Sequence, residues 1–157
     1  MKVSFLQLGK TDQNYISEGQ KKYADRVKHY VSFEIVTIKE IKKSKSQDKA
    51  NYKKAEGLEI LKHVSKDDYV ILLDEKGKEF SSLSFATNIN NKMIGGCKKL
   101  LFISGGAFGF SDDVYKRANE QISLSKLTFS HQLVRLIFLE QIYRAFTIIK
   151  GEPYHHE

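Results

Sequence analysis

Apolar runs alternate with amphipathic stretches along the whole chain. Val3 to Leu8 reads as a buried strand, after which Thr11 or Asp12 caps a helix running to about His29. Phe33 to Ile38 is a second strand. From Asp48 to about His63 the pattern predicts a helix whose residues Tyr52, Ala55, Leu58 and Leu61 keep helical spacing and form its inward face. Tyr69 to Leu73 is a third strand, continuously apolar. Gly77 closes a turn, and Ser81 or Ser82 caps a helix to about Met93 that Gly95 and Gly96 end. Leu100 to Ile103 is a fourth strand, followed by the turn Gly105-Gly106-Ala107-Phe108-Gly109. Ser111 then caps a helix to about Asn119, Ile122 to Leu124 is a short fifth strand, and Gln132 to Ile149 is the last helix.

Strands that are apolar throughout and separated by helices indicate a mostly parallel sheet covered on both faces, so the fold class is three-layer α/β. The 157 residues suffice for one domain, 1–157, able to bury roughly 70% of its unfolded surface without staples. The last helix is apolar at 12 of the 18 positions from Leu133 to Lys150, more than one face against a sheet requires. Its second face is expected in a homodimer interface, while Arg135, Glu140, Gln141 and Arg144 exclude a membrane span.

Charge adds a partner class. The net charge is +7, and nine lysines between Lys39 and Lys66 face only Glu40, Asp48, Glu56 and Glu59. Such an excess suits a polyanion, because each neutralised phosphate releases counterions. The single cysteine, Cys97, permits no internal disulfide. With no apolar leader behind Met1 and no charge-free run of membrane length, the expected setting is cytoplasmic, away from membranes.

The usual phosphate motifs are absent, since only Gly9 follows the first strand. The glycine turn instead follows the fourth strand, where Gly105 and Gly106 permit close approach of a ligand to the backbone. Polar residues then converge in the last third: the loop Ser123 to Thr128, His131 before the last helix, and the tail Tyr154-His155-His156-Glu157. No metal is expected, because His29, His63, His131, His155 and Cys97 lack ligand spacing, and there is no nucleophile elbow. These features alone describe an α/β domain with a late glycine-rich site and a basic surface. They leave open a non-catalytic RNA-binding module and a nucleotide-binding enzyme unrelated to RNA.

Longer strings narrow the choice. Leu72-Leu73-Asp74-Glu75-Lys76-Gly77-Lys78, Ile103-Ser104-Gly105-Gly106-Ala107-Phe108-Gly109, Ser123-Leu124-Ser125-Lys126-Leu127-Thr128-Phe129, His131-Gln132, Glu140-Gln141-Ile142-Tyr143-Arg144-Ala145 and Gly151-Glu152-Pro153-Tyr154-His155 follow one another in the chain. In this order they resemble the RlmH family, ribosomal RNA large-subunit methyltransferases of the SPOUT class. The resemblance implies a C-terminal trefoil (α/β) knot, an exception to the rule that chains do not knot. It further implies a homodimer, S-adenosylmethionine as methyl donor, and N3 of a pseudouridine in 23S rRNA of assembled ribosomes as acceptor. Leu73, Gly105, Leu124, Ser125, Lys126, Leu127, Thr128 and Phe129 are expected to line the cofactor. For the acceptor, Tyr154 and His155 are the expected facing pair, Arg144 the source of positive charge, and His131 a further candidate. Ser130 stands where the family usually has proline, which implies a less rigid turn. His156 and Glu157 stand where the family usually has Lys or Arg.

Overall fold

A computed structural model describes residues 1–42 and 48–155. The chain runs β1 (Lys2–Leu8), α1 (Asn14–Val27), β2 (Ser32–Ile38), α2 (Lys49–Lys62), β3 (Tyr69–Glu79), α3 (Ser82–Ile94), β4 (Lys99–Ser104), α4 (Asp112–Arg117), β5 (Glu120–Ser123) and α5 (Leu133–Ile149). All five strands are parallel, in the order β2-β1-β4-β3-β5, with Val3 level with Phe33 on one side and Leu100 on the other. Both faces are covered, as continuous apolar strands require. Under α1, α3 and α5 lies one core, where the Phe138 ring sits between Phe5 at 4.6 Å and Phe102 at 4.8 Å. A second core, including Leu6, Leu72, Leu101, Ile103 and Val114, lies under α2 and α4.

The fold departs from the sequence pattern wherever a distant partner claims a residue. Neither Thr11 nor Asp12 caps α1, which starts at Asn14 behind Gln13 with no side-chain cap. The Thr11 hydroxyl donates to Gln20 (2.7 Å) and accepts from Arg135 (3.1 Å), while Asp12 exchanges two 3.0 Å bonds with Gln132 at the head of α5. In α2 the buried positions are Tyr52, Glu56, Gly57 and Ile60, and Leu58 is 54% exposed. The inward face is set by closeness to α4: a Cβ on Gly57 would lie 2.0 Å from Ser111 Oγ, so the glycine of the helix must point there. Gly77 does not close a turn. It lies inside β3, which is irregular after Leu73 and pairs again with β5 at Lys78 and Ile122. A Cβ at Gly77 would meet the Ile122 nitrogen at 2.5 Å, so glycine here lets β5 pass.

Helix α5 is fastened by a fully buried arginine. Arg135, 1% exposed, donates from Nη1 to the Gly9 carbonyl and Thr11 hydroxyl (3.1 Å each) and from Nη2 to the Leu8 carbonyl. The cation thereby satisfies main-chain oxygens at the carboxyl end of β1 that the sheet leaves unpaired. Arg135→Met keeps the bulk of the side chain but strands these acceptors. It should cost about 3 kcal/mol of stability, read as a lower urea midpoint; an unchanged midpoint refutes the latch.

Candidate functional site

Strands β3 and β4 send their following helices to opposite faces of the sheet, α3 beside α5 and α4 beside α2. At the carboxyl ends of such a pair a crevice opens. The structure has a cavity of about 550 Å³ here. One wall is the end of β3 with Leu73 and Asp74; another is the glycine turn from Ser104 to Phe110; the third is the loop after β5 with His131 and Val134.

Each wall has a local cause. Gly109 has φ +74°, a left-handed conformation that glycine adopts freely. Gly105 and Gly106 are glycines for what lies beneath them: a Cβ would stand 3.1 Å from the Phe110 ring at the first and 2.8 Å from the Glu56 carboxyl oxygens at the second. The turn thus sits flat on the protein. The loop after β5 holds itself: Ser123 Oγ donates to the Ser125 carbonyl, and the Leu127 amide donates to Ser125 Oγ, both at 2.9 Å. Ser130 hydroxyl accepts from the Leu133 amide at 3.2 Å, so this position carries a helix-start bond that proline there could not make. Opposite, Tyr115 donates a short hydrogen bond to Asp74, and burial with that carboxylate pushes its phenol up to about 12. Ser104, 1% exposed, lines the cavity with a hydroxyl that has no partner among the described residues.

Of the residues expected around a cofactor, Leu73, Gly105, Leu124, Ser125, Leu127, Thr128 and Phe129 share this cavity. Lys126 does not: its side chain, 85% exposed, turns away and stands 3.9 Å from Glu79. His131 stands exposed at the mouth.

Arg144, Tyr154 and His155 gather elsewhere, around Glu140. One Glu140 oxygen accepts from Arg144 Nη2 (2.6 Å) and Nε (3.1 Å) and from the Tyr154 hydroxyl (3.2 Å). The guanidinium lies 4.8 Å from the Tyr154 ring centre, and Arg144 Nη1 is 3.5 Å from His155 Nδ1. A guanidinium only donates, so in this contact Nδ1 accepts. Burial, a bond with Tyr23 and the Glu140 charge all push the Tyr154 phenol well above the ordinary tyrosine value, so it stays protonated. The tail is tied by Tyr30, whose hydroxyl donates to Glu152. His156 and Glu157 lie outside the described residues. Val134 in the cavity wall and Arg144 are ten positions apart on α5, roughly 15 Å at 1.5 Å per residue. Within one chain, the cavity wall and the tail cluster are therefore separate.

Sequence reasoning missed Glu140 as the hub, although its spacing of four from Arg144 is an ion-pair signal. It also missed Ser104, for which no local signal exists. Of the basic segment, Lys43 and Lys45 lie outside the described residues. Lys53 lies in the cavity wall and Lys49 stands 5.6 Å from the Phe108 ring centre, so α2 carries positive charge to the rim. Among the described residues, no group of three or more His, Cys, Asp or Glu could hold a metal ion, and no helix is long and apolar enough to cross a membrane.

A family model described as "Predicted SPOUT methyltransferase" matches residues 1–155. The chain is 52% identical over 157 residues to ribosomal RNA large subunit methyltransferase H of Parabacteroides distasonis, covering 100% of both. It is 52% identical over 156 residues to the protein of that name from Christiangramia forsetii, covering 99% of each. Among solved structures, the tRNA (m1G37) methyltransferase from Aquifex aeolicus matches with TM-score 0.58 at 14% identity, over 100% of this chain and 76% of that one. This last likeness concerns the fold alone.

Glu140→Gln should lower the Tyr154 titration point, because it removes a charge that opposes phenolate, yet leave it above the ordinary value because burial is the largest cause. Ultraviolet titration, with Tyr154→Phe to assign the signal, measures both; an unmoved value would remove Glu140 from the cluster's electrostatics.

Proposed function

Since the chain belongs to the SPOUT methyltransferase family, we propose that it methylates N3 of a pseudouridine in 23S rRNA, acting on assembled ribosomes in the cytoplasm as a homodimer with S-adenosylmethionine as donor. Full-length identity of 52% to ribosomal RNA large subunit methyltransferase H carries this reading of the substrate. The cavity supports the cofactor. Its volume lies in the range of small-molecule sites, and the unpartnered Ser104 hydroxyl and the main chain of the two loops suit a ligand with both polar and apolar parts. Leu73, Gly105, Leu124, Ser125, Leu127, Thr128 and Phe129 would hold it. When bound, S-adenosylmethionine supplies a methyl group on a positively charged sulfur, open to in-line attack.

The chain's own task is to hold the acceptor nitrogen in line and to favour loss of its proton. Tyr154, kept protonated, donates a hydrogen bond and removes no proton. Arg144 offers a fixed positive charge, held by Glu140, which favours a developing acceptor anion. His131 remains as a proton acceptor, whereas His155, with Nδ1 accepting from Arg144, has its Nε2–H to donate. Lys49 and Lys53 on the rim fit phosphates flanking the acceptor.

Separation of cavity and tail cluster along α5 supports the dimer, because a second copy can bring its Tyr154 and His155 to the first copy's cavity. The half-buried Leu133, Leu136 and Ile137 on α5 supply apolar surface for the contact. The knot implied by the family likeness belongs to the same reading: the segment from β5 through α5 would thread a loop to build the cofactor wall.

Deleting residues 154–157 should abolish methyl incorporation into 23S rRNA on intact ribosomes while calorimetry finds S-adenosylmethionine affinity within about twofold of the full chain. Equal incorporation would move the acceptor chemistry from the tail to His131 and Arg144. Sedimentation equilibrium should give a dimer at micromolar concentration, and a stable monomer there sinks the shared-site arrangement.

A further inference from the structure

Glu56 is a buried ionisable group that the chemistry above leaves unused. It is 2% exposed, on α2, and its Oε2 has no hydrogen-bond partner among the described residues. A buried carboxyl in that condition is costly, and its place beneath the cavity suggests what offsets the cost. Both carboxyl oxygens lie 2.8 Å from where a Cβ on Gly106 would stand, so the cavity wall rests directly on them. Tyr52, one turn earlier, bonds to Glu56 and meets the Phe108 ring of the same wall edge-on at 5.6 Å. One residue later, Gly57 packs beneath Ser111 at the far end of the turn. Burial pushes the Glu56 carboxyl up from its ordinary value, Tyr52's bond opposes this, and the Glu40 charge adds to it. A carboxyl in this setting serves as a fixed polar support, with no solvent-exposed charge.

We propose that Glu56 is a positioning residue for the cofactor: its unpartnered oxygen accepts a main-chain N–H of the Gly106-Ala107 segment when the cavity is filled, and so holds that wall in its ligand-bound shape. The inference rests on reading the cavity as the S-adenosylmethionine site. It gives α2 a role besides its lysines, and it explains why residue 106 has no side chain on the face turned away from the ligand.

The test compares the full-length wild type with Glu56→Gln and Glu56→Leu by calorimetry with S-adenosylmethionine, thermal unfolding, and methylation kinetics on ribosomes. Leucine fills the space and removes the acceptor, so Tm should stay the same or rise while Kd and KM for the cofactor rise about tenfold and kcat stays within about twofold. Glutamine keeps an accepting oxygen and should bind within about twofold of wild type. A purely structural role predicts that affinity follows Tm, so a stable Glu56→Leu variant with wild-type affinity overturns the proposal. So does a glutamine variant as impaired as the leucine one. If Glu56→Leu does not fold, Gly106→Ala serves, because its methyl lifts the turn off the carboxyl: tenfold weaker binding is expected, and unchanged binding overturns the proposal. Wild-type protein that binds no S-adenosylmethionine sinks the cavity assignment together with this inference, whereas wild-type binding matched by Glu56→Leu sinks this inference alone.

Discussion

The buried guanidinium of Arg135 is the constraint on which the site depends. Burial pulls its pKa down, and the charges of Glu40 and Asp12 counteract this, so the cation persists in the interior with main-chain carbonyls for partners. Because these carbonyls close the carboxyl end of β1, the head of α5 has one place to sit. The loop between β5 and α5 is then held at both ends, by strand pairing at Ser123 and by Arg135 twelve residues later. That loop is one wall of the cavity. The tail follows, because α5 is packed along its length on the Phe5, Phe102 and Phe138 core and delivers Glu140, Arg144 and Tyr154 to a common place.

Two kinds of chemistry are kept apart by this arrangement. The cavity presents mostly main chain, small residues and apolar side chains, which recognise a ligand by shape and hydrogen bonding. The Glu140 cluster presents a fixed cation, a protonated phenol and an imidazole, groups of the kind that can act on a proton or on developing charge. The proposed reaction draws on both, and a chain of 157 residues sets them roughly ten helical positions apart. In the proposed dimer a second copy would bridge that separation.

Much of this was legible before the fold. Continuous apolar strands separated by amphipathic helices implied the covered parallel sheet, since only a strand buried on both faces tolerates such a run. The string from Ser123 to Phe129 and the glycine turn pointed to one site, and the structure brings them to one cavity. Lys126 shows the limit of a contiguous motif: its backbone is in the loop, but its side chain turns outward where the loop bends. Glu56 and Gly57 show the limit of periodicity. Hydrophobic spacing put Leu58 inside, yet close approach to Ser111 rotated the helix and buried a carboxyl instead.

By itself the sequence determined what is local or periodic: element order, the layers, the basic segment, and which residue types stand at the carboxyl ends of the strands. Those properties depend on neighbours within a few positions, and nearly every element lies where spacing placed it, within one to three residues at most ends. Tertiary structure alone decided which polar and small residues are claimed by partners far along the chain. Thr11 and Asp12 leave α1 for Arg135 and Gln132, Gly77 joins β3 because β5 must pass it, and Glu56 comes to rest under Gly106. Each of these is a contact between residues dozens of positions apart, and a hydrogen bond or a van der Waals radius is satisfied only by the groups that folding brings within a few ångströms.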